Sequence, residues 1–172
     1  AGRRGATVVA DDDGVRPETT AEVLAGLRPA FSADGTITAG NSSQITDGAA
    51  ALVLMSAAEA ERRGIPPLAV VEAHALVAGP DVRLHAKPAR AIRAALERIG
   101  ATPAQLVAVE INEAFASVAL HSTAELDVDS AIVNSNGGAI ALGHPIGASG
   151  ARIVGHLARR LAAAGPGSLG AA

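Results

Sequence analysis

No cysteine occurs among the 172 residues, which excludes disulfide staples and cysteine-ligated metals within this chain. Tryptophan and tyrosine are missing too, and Phe31 and Phe115 are the only aromatic residues. Any core must therefore be built from Ala, Val, Leu and Ile, which a hydrophobic content of 49 % allows. Lysine is reduced to Lys87 against thirteen arginines, an imbalance that reads as codon bias and not as a binding signal. A net charge of −3 offers no electrostatic attraction for nucleic acid or an anionic membrane. No apolar run approaches a membrane span, and the opening AGRRGATVV lacks the apolar stretch of a secretory signal.

What is present alternates strand-like and helical segments. Ala6 to Ala10 reads as a short strand, and the acidic turn Asp11-Asp12-Asp13-Gly14 reads as solvated, since no spaced ligand set follows it. Pro17-Glu18 opens a helix to Leu27 with Val23, Leu24 and Leu27 on one face. Thr36 to Asp47 is a loop, and Ala49 to Met55 is an apolar run suited to a strand buried on both faces. Ser56 with Glu59 forms a capping-box pattern for a helix that ends at Gly64. Ile65-Pro66-Pro67 then links two units, 1–64 and 65–172.

In the second unit Leu68 to Ala73 is strand-like, and the stretch to Lys87 is irregular with a turn at Gly79-Pro80. Pro88 to Ile99 is a helix with Ile92, Leu96 and Ile99 inward. Gln105 to Ile111 is a strand leading into Asn112 and a helix through about Glu125. Ala131 to Val133 is a strand and Ala151 to Ala164 a helix closed by Gly165-Pro166, with a further strand beginning near the end. This order predicts an α/β fold with a mixed, mostly parallel sheet covered by helices. Functional groups in such sheets sit at the carboxyl ends of strands, where both Asn112 and His144 fall.

Asn134 to Gly150, NSNGGAIALGHPIGASG, is the stretch around which the chain is organised. Glycine serves where backbone turns at positive φ or approaches another group closely. His144 lies on this loop, stiffened by Pro145, and an imidazole can take up or release a proton near neutral pH. Glycine-rich turns also arise where a strand must reach a helix in little space, so on spacing alone both readings stand. Gly143, Gly147 and Gly150 do not form G-x-G-x-x-G and no Gly-Lys-Ser/Thr follows, which disfavours a phosphate-cradling loop. Asn112 taken by itself is best read as a helix N-cap. Glu113 reads as a first-turn glutamate complementing the helix dipole, in a supporting role. Ser43 reads as part of a turn. His74, His85, His121 and His156 have no partners at ligand spacing.

Three motifs change these readings. NSNGGAIALGHPIGASGAR resembles the thiolase signature, Asn112 to Ala116 (NEAFA) resembles the second thiolase motif, and Thr38 to Ser43 followed by Asp47 to Ala50 resembles a third. The resemblance implies a thiolase-like fold, with 1–64 ending the N-terminal domain and 65–172 forming a C-terminal domain truncated at its end. It also implies acyl transfer between coenzyme A thioesters through an acyl-cysteine, nearest to bacterial acetyl-CoA acetyltransferases. His144 and Asn112 are then catalytic: Asn112 positions a water that, with His144, forms an oxyanion hole, and His144 activates the nucleophile. Ser43, Gly138 and Gly143 line the thioester and pantetheine site, while Gly137 and Gly147 let the backbone close on it. Gln44 stands where the family often has glycine, a change expected to alter the width of the channel.

Thiolases use two cysteines and this chain has none. It is therefore expected to correspond to the C-terminal half, with both cysteine-bearing pieces outside it and no activity alone. No metal or permanently bound cofactor is implied, and the substrate is a coenzyme A thioester. The expected partners are acyl-CoA or CoA and further copies of the chain, as a cytoplasmic dimer or tetramer, with neither nucleic acid nor membrane. Two alternatives are a degradative 3-ketoacyl-CoA thiolase and a non-catalytic, thiolase-like acyl-CoA or lipid-binding protein. Retention of Asn112 argues against the latter.

Overall fold

Gln105 to Ile111 is a segment covered on both faces: Leu106 and Ala108 to Ile111 are buried, and only Gln105 and Val107 are exposed. The computed structural model describes Val8, Ala10 to Asp12 and residues 14–172, and the strand expected at Ala6 to Ala10 lies largely outside these. The helices are α1 (Ala21–Ala25), α2 (Ala57–Arg63), α3 (Lys87–Arg98), α4 (Ala116–Leu126), α5 (Ala139–Leu142) and α6 (Ile146–Ala164). The strands are β1 (Leu106–Val109) and β2 (Leu169–Ala171). β1 pairs in parallel with β2 through Leu106↔Leu169, Ala108↔Gly170 and Val109↔Ala171, with an irregularity between Leu106 and Ala108. Val133 bridges Val109 in parallel on the other side. The layer thus runs, in space, from Val133 through β1 to β2.

Leu106, Val109 and Ile111 join Ala89, Ile92 and Leu96 of α3 and Val118 and Leu126 of α4 in one apolar core. On α6, Leu157 packs closely over the sheet. A Cβ at Gly170 would lie 2.8 Å from Leu157 Cδ1 and 2.9 Å from the Ala108 carbonyl oxygen, so only glycine fits. Glu110 is 1 % exposed and accepts from Arg160 Nη1 of α6 at 2.6 Å. The same guanidinium donates to the carbonyls of Val109 (3.2 Å) and Ile132 (2.8 Å), tying the two neighbouring segments together.

The end of the Val133 segment is closed by a side chain acting as backbone. Asn134 takes φ 46, a left-handed conformation that asparagine tolerates better than most residues. Its N–H donates to Val109 O (2.9 Å). Its amide then pairs with the whole peptide of Ile111, accepting from the N–H and donating to the carbonyl, both at 2.8 Å. A ladder of main-chain bonds is thereby extended by one side chain.

Several expectations hold. Ser56 accepts from Glu59 N, one half of the expected capping box, while the Glu59 carboxylate turns to Arg62 and Arg63, and α2 ends at Gly64 with φ 65. Gly79-Pro80 marks a turn, with a cis peptide bond, and the acidic turn is closed by Gly14 N donating to Asp12 Oδ1. Others are corrected. α1 starts at Ala21 because Thr20 caps it, while Pro17-Glu18 lies in a preceding turn. Ile99 follows the end of α3 and is 39 % exposed, off the inward face. Ala131 to Val133 is mainly a 3-10 turn (Ser130–Ile132), with Val133 alone bridging the sheet.

Ala49 to Met55 and Leu68 to Ala73 are not strands. A strand exists only when a neighbour completes its ladder, and none lies alongside them among the described residues. Val53 is 85 % exposed and Val71 is 68 % exposed, the reverse of burial on both faces. α6 begins at Ile146, five residues before the expected start, because Pro145 sets the N-cap within the glycine stretch itself.

Removing Arg160 leaves a buried carboxylate without its counter-charge. Arg160→Ala is expected to lower the unfolding free energy by about 3–5 kcal/mol, with much of this recovered in Glu110→Leu/Arg160→Met. Asn134→Ala, which orphans the Ile111 peptide, is expected to cost about 1–3 kcal/mol. Urea denaturation followed by circular dichroism measures all three.

Candidate active site

Asn112 follows β1 by three residues, and α4 begins only at Ala116, so Asn112 is not its N-cap. Its side chain is released from local duty and turns to the next segment. Asn112 Nδ2 lies 3.1 Å from His144 Nε2. The other ring nitrogen of His144, Nδ1, lies 2.7 Å from Ser149 Oγ. Asn112 Oδ1 is buried and has no hydrogen-bond partner among the described residues. The two side chains singled out from separate motifs are thus in direct contact.

Glu113 does not serve the helix of its own segment. Its Oε1 accepts from Asn134 Nδ2 (2.7 Å) and its Oε2 from the Ile140 N–H (3.1 Å), in the first turn of α5. The carboxylate satisfies an otherwise orphaned helix-end donor across 27 residues of chain. Gly138 is glycine for this reason, since a Cβ there would collide with the Glu113 carboxyl group. Gly143 combines φ 89 with a similar conflict against Thr46, so the loop carrying His144 has no room for a side chain there either.

The loop from Thr38 to Gly48 bridges the other two motifs. Its start is shaped by Asn41 Oδ1, which accepts from Thr38 N at 2.8 Å. Ser43 N and Oγ both donate to Ala114 O, at 3.1 and 3.3 Å, and Ser42 bridges Phe115. Further along, Gln44 O accepts from His144 N (3.3 Å), and a Cβ on Gly48 would lie 2.7 Å from Pro145 Cγ. Ser43 therefore pins this loop to the NEAFA segment instead of closing a local turn. Gln44 is exposed with its amide beside Gly14, so it faces a neighbouring turn while its backbone supports His144.

Next to His144 an open groove of about 440 Å³ runs between Thr46 to Ala50 and Pro145 to Ala148. It adjoins the Asn112–His144 pair without including it. The remaining histidines lie elsewhere: His85 stacks edge-on with His121 at 6.2 Å, and His121 faces Glu125 at 3.4 Å. His156 faces Asn136 at 3.3 Å, and the His74 carbonyl accepts from Arg98. Among the described residues no three His, Asp or Glu side chains gather as a metal site.

Two participants had no assigned role in the sequence reading. Ser149 is 3 % exposed and occupies the turn of α6 beneath His144. Its signal was spacing: with Pro145 starting the helix, a residue one turn later folds back under the histidine. Asn134 carried a weaker signal, an asparagine between an apolar run and Gly137-Gly138, where left-handed backbone is common.

Known proteins resemble this chain along most of its length. The family described as "Thiolase, C-terminal domain" matches residues 65–172, and "Thiolase, N-terminal domain" matches residues 1–58. A "Probable acetyl-CoA acetyltransferase" of Mycolicibacterium smegmatis is 61% identical over 92% of this chain and 41% of its own length. The peroxisomal "3-ketoacyl-CoA thiolase B" of Rattus norvegicus is 50% identical over 89% of this chain and 36% of its own length. Among solved structures, the Bacillus anthracis acetyl-CoA acetyltransferase superposes with a TM-score of 0.86 at 43% identity, covering 96% of this chain and 42% of that one. The chain spans about two fifths of the length of the curated relatives it matches. With two thiolase domain descriptions running along it and three motifs folded onto one another, the chain has the α/β thiolase fold and belongs to the thiolase family.

Proposed function

We propose that this chain supplies the acid–base and oxyanion-stabilising half of a thiolase active site, within a longer protein that acts as an acetyl-CoA acetyltransferase. That protein condenses two acetyl-CoA to acetoacetyl-CoA and CoA, or runs the reverse thiolysis. The observation that carries this reading is the 3.1 Å contact between Asn112 and His144. It is supported by relatives of 50–61 % identity that bear thiolase or acetyl-CoA acetyltransferase names.

Both cysteines come from parts of the protein outside this chain, the first as nucleophile and the second to move protons. His144 Nε2 takes the proton of the nucleophilic thiol, leaving a thiolate to attack the acyl carbon. Once protonated, the same nitrogen is a donor, and with the Asn112 amide or a water it holds, it steadies the thioester oxygen as that oxygen gains charge. The α-proton of the second acetyl-CoA becomes removable because its enolate oxygen meets these donors. Ser43, Gly138 and Gly143 shape the wall along which the pantetheine arm lies.

A 3-ketoacyl-CoA thiolase is the second reading, favoured by the 50% identity to the peroxisomal rat protein. The two differ in acyl length. Rates of thiolysis of acetoacetyl-CoA and of long-chain 3-ketoacyl-CoA by the longer protein separate them: strong preference for the four-carbon substrate supports the first, preference for long chains the second.

In the longer protein His144→Ala is expected to lower kcat about 10²–10⁴-fold, and Asn112→Ala about 10²–10³-fold, with unchanged circular dichroism. A near-normal rate in either variant removes that residue from the mechanism. The 172-residue chain alone is expected to show no thiolysis of acetoacetyl-CoA, since it has no cysteine to carry the acyl group.

A further inference from the structure

We propose that Ser149 is a positioning residue for His144, holding the imidazole as its Nδ1–H tautomer so that Nε2 presents a lone pair to the site. The inference rests on the reading of His144 as an acid–base group, and its geometry stands on two separate contacts.

The first is the serine's own hydrogen bond. Ser149 Oγ lies 3.1 Å from the carbonyl oxygen of Pro145, four residues earlier in α6. A carbonyl oxygen only accepts, so the single hydroxyl hydrogen is committed to it, the back-bonding that serine makes to the preceding helical turn. The oxygen then offers only lone pairs to its other neighbour, His144 Nδ1, at 2.7 Å. With the hydroxyl so directed, that nitrogen carries the hydrogen. The second contact is on the far side of the ring, where the Asn112 amide nitrogen sits 3.1 Å from Nε2. An amide nitrogen only donates, so Nε2 accepts. The Ser149 contact sets the tautomer, and the Asn112 contact, with the amide oriented nitrogen-inward, is the one that tautomer makes, so the bare nitrogen faces Asn112.

Burial makes the arrangement firm. Ser149 is 3 % exposed, so water does not readily replace its hydroxyl as acceptor for the Nδ1 hydrogen. Pro145 anchors the carbonyl at the helix start, where the Ala148 and Ser149 N–H groups also bond to it at 2.8 and 2.9 Å. The tautomer is therefore built into the first turn of α6. When Nε2 gains a proton, the Nδ1–H bond to Ser149 persists and holds the ring, while the Asn112 amide must turn its oxygen toward Nε2 or yield to another acceptor.

The test is the two-bond ¹H–¹⁵N spectrum of the histidine rings in the ¹⁵N-labelled longer protein, with His144 assigned by its loss in His144→Ala. Nδ1 in the protonated, pyrrole-type range and Nε2 in the bare, pyridine-type range is the expected result. Ser149→Ala should move His144 to a mixture or to the Nε2–H form and lower kcat/KM for thiolysis about 10-fold. Ser149→Thr, which keeps a hydroxyl able to bond the same carbonyl, should restore both. An Nε2–H tautomer in the unsubstituted protein, or an Nδ1–H tautomer unmoved in a folded Ser149→Ala, overturns the assignment. The rate of His144→Ala decides the functional reading, whereas the nitrogen spectrum decides Ser149 whatever that rate proves to be.

Discussion

The pairing of one asparagine side chain with one peptide group holds the site together. Asn134 bonds both the N–H and the carbonyl of Ile111, at 2.8 Å each. Ile111 is buried, and a buried peptide without partners carries a desolvation penalty. The amide removes that penalty at the point where main-chain pairing between the two segments stops. It thereby fixes where each segment leaves the sheet, one toward Asn112 and the other toward His144. Its remaining N–H goes to Glu113, and that carboxylate in turn fastens the first turn of α5. From Ile111 to Ile140 the polar groups are joined in one chain, and each link sets the position of the next.

A second polar network lies under the same segments. Arg160 reaches Glu110 and the carbonyls of Val109 and Ile132, so α6 is bound to β1 and to the Ser130–Val133 segment at the level just before they diverge. α6 also begins at the residue after Pro145, which carries the His144 loop into the helix. The imidazole is thus held from three sides: Gln44 on its backbone, Asn112 on Nε2 and Ser149 on Nδ1. The roles proposed for His144 and Asn112 need geometry held in advance of the reaction, and here the polar groups are fixed from the sheet, a helix and a loop.

The α2 cap, the α3 face at Ile92 and Leu96 and the run of β1 were legible because each is a local pattern, set by caps, by helical periodicity or by an apolar stretch. Ala49 to Met55 and Leu68 to Ala73 misled for a related reason. Apolar β-prone residues record that a segment is fit to be a strand, but the ladder needs a partner that the segment's own residues cannot encode. Glu113 misled differently. A glutamate ahead of a helix looks like a complement to that helix, yet its carboxylate crosses to α5, a choice made by the approach of Gly138.

From the amino-acid order alone came the three motifs, the family resemblance they carry and the pairing of His144 with Asn112 as the residues of interest. These rest on residue identity, and chemistry of this kind is written into which side chains are present. The tertiary structure alone decided that Asn134 would stand in for backbone, that Glu113 would cap a helix other than its own, and that Ser149 would lie against Nδ1 of His144. Hydrogen bonds are short and directional, and whether two groups separated along the chain come within 3 Å depends on how sheet, helix and loop pack together.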